Sequence, residues 1–127
     1  MTNWILLASL LVIAPAKAEK YGAAQSYSIP LLHWSSKHEK GVYGYIIYRA
    51  SRANGPFLRI NKRVVPAVRS VKSADATVAA QPNRYEFKDE TADPAQTYYY
   101  YVDVISTTGL KQGLTQPVRR DPRPVKN

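Results

Sequence analysis

Few side chains in this sequence can do acid–base or metal chemistry, and they are poorly placed for it. His33 and His38 are the only histidines and there is no cysteine. Five positions apart, with Glu39 beside the second, the two histidines lack the further ligands that a metal site needs at close spacing. The acids Glu86, Asp89, Glu90 and Asp93 fall within one short run. A carboxylate pair drawn from them would resemble the machinery of glycoside hydrolysis only if a cleft desolvated one member. No glycine-rich phosphate loop and no serine-nucleophile motif is present. The chemistry predicts no enzyme, no metal and no cofactor.

Aromatic stacking and charge are the better-represented chemistries. Thr97 to Val104 reads TYYYYVDV, placing Tyr98, Tyr99, Tyr100 and Tyr101 in succession. Arg59, Lys62, Arg63, Arg69 and Lys72 follow one another with no acid between them, and the tail adds Arg119, Arg120, Arg123 and Lys126 against Asp121. A formal charge of +9 distributed in this way suits an anionic partner: an acidic glycan, lipid head groups, nucleic acid or an acidic protein surface. A solvated basic surface with no partner explains the same charges equally well.

The amino-terminal segment narrows the choice. Trp4 to Ile13 is an apolar run followed by Ala14-Pro15-Ala16-Lys17-Ala18, a small-x-small pattern, so residues 1–18 are expected to be a signal peptide cleaved after Ala18. The run falls short of the roughly 20 residues that a membrane-spanning helix needs. Cleavage removes Lys17 and no acid, taking the charge from +9 to 9 − 1 = +8 on 127 − 18 = 109 residues, enough for one small domain. Without cysteine, an exported domain must rely on its apolar core, which argues for a bacterial source over the disulfide-stapled animal class. The expected location is periplasmic or extracellular, not membrane-spanning after cleavage, and nucleic acid is the least expected partner.

The elements that must position these side chains alternate with period two throughout, and no window shows helical spacing, so the chain is predicted to be all-β. Strands are expected over 27–35, 43–49, 57–61, 84–89 and 97–106, with a last one inside 110–118. Val64, Val65 and Val68 offer a further short edge strand. Asn54-Gly55 reads as a tight turn. Residues 62–83 read as a long irregular loop, residues 19–26 as an extension, and the basic, proline-rich residues 119–127 as disordered. Side chains alternate across a strand, so Tyr98, Tyr100, Val102 and Val104 share one face while Tyr99, Tyr101, Asp103 and Ile105 share the other. An unpaired charge is costly to bury. Asp103 therefore turns the Tyr99 face outward and makes the Tyr98 face core.

Several ordered motifs then converge: Trp34; Gly44-Tyr45-Ile46-Ile47-Tyr48-Arg49; Gly55-Pro56-Phe57-Leu58-Arg59-Ile60-Asn61; Tyr85-Glu86-Phe87-Lys88-Asp89; Asp93-Pro94-Ala95-Gln96-Thr97-Tyr98; and Val102 to Gly109. Together they resemble a fibronectin type III domain of the kind found in exported bacterial proteins, over residues 27–118. The resemblance implies a single immunoglobulin-like β-sandwich of about seven strands. It implies that Trp34 is the core tryptophan of the family's strand B and that Tyr45 and Ile47 point inward from strand C. Tyr98 would be the tyrosine-corner residue, its hydroxyl returning to backbone upstream. Ala95 stands where the family usually has Gly, and residues 19–26 match a first strand poorly, which would leave a sheet edge open to docking.

In such a fold the strands carrying Ile46 and Tyr48, and Tyr99, Tyr101 and Ile105, are neighbours, so these five residues form the candidate partner-binding face. Aromatics bury on the order of 150–250 Å² each, which brings such a patch toward interface size. Cross-strand pairs that merely stiffen the sheet would use the same residues. Arg59, Lys62, Arg63, Arg69, Lys72, Arg119 and Arg120 are the candidate anionic contacts. The reading is a non-catalytic accessory subunit of a cell-envelope or surface protein assembly; a polysaccharide-binding module stacking sugars on the tyrosines is the alternative, and a self-assembling sheet edge is a third.

Overall fold

The computed structural model describes residues 24–68 and 81–126. They form an all-β sandwich of two antiparallel sheets: β1 (Leu31–Ser36), β2 (Val42–Ala50), β3 (Leu58–Arg59), β4 (Val65–Pro66), β5 (Asn83–Lys88), β6 (Tyr98–Ser106), β7 (Lys111–Gly113) and β8 (Val118–Arg120). β1 and β5 make one two-stranded sheet; the other runs β3-β2-β6-β7, with β4 also on β2 and β8 also on β6. The proposed signal peptide lies outside the described residues, and no helix among the described residues is long and apolar enough to cross a membrane.

The core follows the predicted alternation. Tyr98, Tyr100 and Val102 are buried, while Tyr99, Tyr101, Asp103 and Ile105 on the other face are half-buried. Tyr45 and Ile47 are wholly buried at 0% exposure. Trp34 closes the layer from β1, its ring stacked on Tyr85 at 5.5 Å and edge-on to Tyr45 at 5.6 Å. Such aromatic contacts add about 1 kcal/mol each beyond the area they bury. The Tyr98 hydroxyl accepts from the Asp93 N–H at 3.0 Å, so the turn before β6 is fastened to its first residue.

Side chains complete the large sheet where its ladder fails. After Ile60 donates to the Ile47 carbonyl, buried Asn61 takes over: its amide accepts from the Ile47 N–H (2.8 Å) and donates to the carbonyls of Tyr45 (3.1 Å) and Arg63 (2.9 Å). Pairing resumes at Tyr45 and Val65. Between β7 and β8, the Val102 N–H is taken by the Thr115 hydroxyl at 2.9 Å, and the Val102 carbonyl accepts from both Leu114 and Thr115.

Two expectations are corrected. The strand predicted from Tyr27 starts at Leu31, because Tyr27 bridges Pro124 and Ser28 donates to the Arg123 carbonyl, drawing the preceding segment to the other side of the sandwich. The tail predicted as disordered from Arg119 is held: Arg119 and Arg120 lie in β8, Val125 donates to the Ser26 carbonyl, and Asp121 accepts from Thr97 and Arg119. Charge and proline mislead there because pairing to β6 and to residues 26–28 satisfies the backbone. Asp89, within the run of acids from Glu86 to Asp93, is only 1% exposed.

Candidate interaction face

The outward face of the large sheet is set by register. Tyr48 lies opposite Arg59 on one side and Tyr101 on the other, Ala50 lies opposite Tyr99, and Tyr99 lies opposite Arg119. Residues directly opposite in an antiparallel pair project from the same face. Tyr48 and Tyr101 stack with centroids 4.7 Å apart and planes at 18°, and Phe57 leans on Tyr101 at 4.9 Å. The result is a row of three rings with Arg59 beyond Tyr48, and Tyr99 with Arg119 in the next row.

Of the five residues expected to form this face, four do. Tyr48, Tyr99, Tyr101 and Ile105 are half-buried, but Ile46 is only 2% exposed and is part of the covered interior. The reason lies next to it. At Gly44, on the same side of β2, a Cβ would collide with the Val65 carbonyl oxygen and Val64 Cγ1, so the chain entering β4 lies directly against this stretch. Phe57 was not among the expected residues. Its signal was the period-two relation to Arg59, which places both on the side that Tyr48 occupies.

The basic residues do not form one cluster. Lys62 and Arg63 are exposed, whereas Arg59 donates to the carbonyls of its own neighbours Asn61 (2.8 Å) and Lys62 (3.3 Å). Arg119 pairs with Asp121 at 2.9 Å, which strengthens the hold on its proton and lowers the Asp121 carboxyl. Arg120 turns the other way, donating from Nη2 to the Ser28 carbonyl at 3.0 Å, and is no surface contact. Arg69 and Lys72 lie outside the described residues. Asp103, beside the tyrosines, titrates above its ordinary range because burial outweighs the nearby Lys111. Burial, with Asp103 and Tyr48 close by, also raises Tyr101.

Several other polar side chains hold the sandwich together. Asp89 accepts from the Tyr100 hydroxyl (2.7 Å), Arg49 Nη1 (2.9 Å) and the Thr91 hydroxyl (2.9 Å), while the Arg49 guanidinium lies 4.8 Å from the Tyr98 ring centre. Burial alone would raise the Asp89 carboxyl, but these donors outweigh it and hold the carboxyl below its ordinary value. Burial and the Asp89 carboxylate push Tyr100 far up. Glu39 accepts from the Tyr85 hydroxyl at 2.6 Å, and burial with that carboxylate raises Tyr85. His33 is 65% exposed, with Nδ1 3.7 Å from Glu86. No group of three His, Cys, Asp or Glu among the described residues is placed to hold a metal. Comparison of the chain with protein-family models, curated proteins and solved structures finds no match.

Proposed function

We propose that this chain is an exported, non-catalytic β-sandwich of fibronectin type III type that serves as a protein-binding accessory subunit of a cell-envelope or surface assembly. The observation that carries the binding reading is the ring row Phe57, Tyr101 and Tyr48, half-buried on the outward face of the large sheet with Arg59 at its end. Rigid aromatics beside arginine are the composition of interface hot spots, since they offer large contact area at little entropic cost. The family reading is supported by Trp34 between the sheets and by the Tyr98 hydroxyl fastened to Asp93.

Ring geometry weighs the protein reading against the polysaccharide one. Sugar stacking needs an open ring face, whereas Tyr48 and Tyr101 turn one face of each ring toward the other and Phe57 packs on Tyr101. Ring edges and hydroxyls are what this arrangement offers, and they suit hydrogen bonding and packing with a protein. A pull-down from envelope extract with the wild type and a Tyr48→Ser, Tyr99→Ser, Tyr101→Ser triple variant tests this. A protein retained by the wild type and lost from the variant is the expected outcome. Equal retention by both would contradict it, and retardation in an acidic-glycan gel abolished by Tyr99→Ala would transfer the face to polysaccharide.

A further inference from the structure

Asp103 stands apart from the other acids. Among the described residues, the carboxylates of Glu39, Asp89 and Asp93 accept hydrogen bonds, and those of Glu86, Glu90 and Asp121 lie beside His33, Lys88 and Arg119. Asp103 alone of the described acids has neither a hydrogen bond nor an ion pair within the described part of the chain. Scarcity of cations is not the reason, since the chain has 18 lysines and arginines against 9 acids. Its position is also particular. Asp103 is half-buried on the outward face of the large sheet, between Tyr101 and Ile105 along β6 and between Ile46 on β2 and Gly113 on β7 across it. Gly113 is exposed, and a Cβ there would stand 3.9 Å from the Asp103 Oδ1 and meet nothing nearer, so the carboxylate can be approached over bare backbone. Lys111, two residues along β7, attracts the carboxylate without pairing with it, and burial outweighs that attraction.

A carboxylate partly stripped of water and given no donor in exchange costs free energy in the isolated protein, and a cation brought to it recovers that cost. Charge selects what approaches. The other fixed charges around the tyrosines, Arg59, Lys111 and Arg119, are cationic, and Asp121 is taken by Arg119. A partner covering the tyrosines therefore covers one unpaired acid, and a neutral or acidic group set on it would strand or repel that charge. We infer that the protein partner of the tyrosine face places a cationic side chain, arginine or lysine, on Asp103. The inference rests on the protein-binding reading of that face and adds the chemistry the partner must present at its centre. Tyr101 and Ile105 on either side exclude water from the pair, which is the setting in which an interfacial charge pair contributes most to specificity.

The test uses the envelope protein that the wild type retains and the Tyr48→Ser, Tyr99→Ser, Tyr101→Ser variant loses, identified by mass spectrometry, purified and titrated against the full chain. Binding is expected to weaken about tenfold for Asp103→Asn and at least about 100-fold for Asp103→Lys, because the first removes the attraction and the second sets like charges together. The free Asp103→Asn protein is expected to melt at or above the wild-type temperature, whereas a carboxylate with a structural role would lower it when replaced. Equal binding by the wild type and both variants, or equal weakening by Asn and Lys, would overturn the inference and leave the tyrosine face as the docking site. A lowered melting temperature for Asp103→Asn would overturn it as well. Finding no protein that the tyrosine variant loses would overturn the reading of the face and this inference with it.

Discussion

Asp89 joins the two sheets through its carboxylate. It ends the β5 side of the sandwich, yet its carboxylate receives donors from β2 through Arg49 and from β6 through Tyr100. Replacing it by Asn leaves Arg49 without its counter-charge; removing one member of a buried pair costs about 3–5 kcal/mol. Asp89→Asn is expected near the lower end, because Arg49 keeps some solvent contact. Tyr100→Phe, which removes one hydrogen bond to a charged group, should cost about 2 kcal/mol, and urea unfolding of both variants checks the order. The folded Asp89 carboxyl titrates below its unfolded value, so its contribution is fully present above about pH 3.9 and is lost as pH falls through the folded value. Acid unfolding of Asp89→Asn should therefore show a shallower dependence in that window than the wild type. The sequence did not disclose this role, since Asp89 sits among exposed acids and only the sheet-to-sheet approach reveals its partners.

At the scale of elements, the alternation of β2 and β6 was legible because one face of each is core and period two leaves a single consistent assignment. Asp103 oriented the tyrosine strand correctly from one charge. Breaks in the ladder were not legible, because they are filled by side chains whose partners lie far along the chain. Asn61 reads as the end of a strand, yet its side chain gives β2 the ladder partners missing between β3 and β4. Asn61→Ala should lower stability by about 1–3 kcal/mol by leaving buried main-chain groups unpaired. Gly44→Ala should be comparably damaging, since Val65 backbone must move to admit a methyl group. Thermal melts of the two variants, against Gly41→Ala at a position with open space around it, separate packing from backbone strain. Ile46 was misplaced for the same reason: alternation gives the side of a sheet on which a residue stands, while the chain crossing at Val64 and Val65 decides whether that side is open.

As a whole molecule the chain divides its surface between a large basic sheet and a small sheet of mixed charge. Partner binding through the tyrosine face, with Arg59 and Arg119 exposed to solvent, should weaken as salt rises from about 0.05 to about 0.5 M, because exposed charges are screened. The central claim is that the outward face of the large sheet is where a protein partner docks. Lysine-directed crosslinking in native envelope, followed by mass spectrometry of the linked peptides, tests it most directly. Lys111, opposite Ile105 on the tyrosine side, is expected to carry the links to one reproducible protein, with Lys88 on the small sheet unlinked to it. Links concentrated at Lys88, with none at Lys111, would contradict the account.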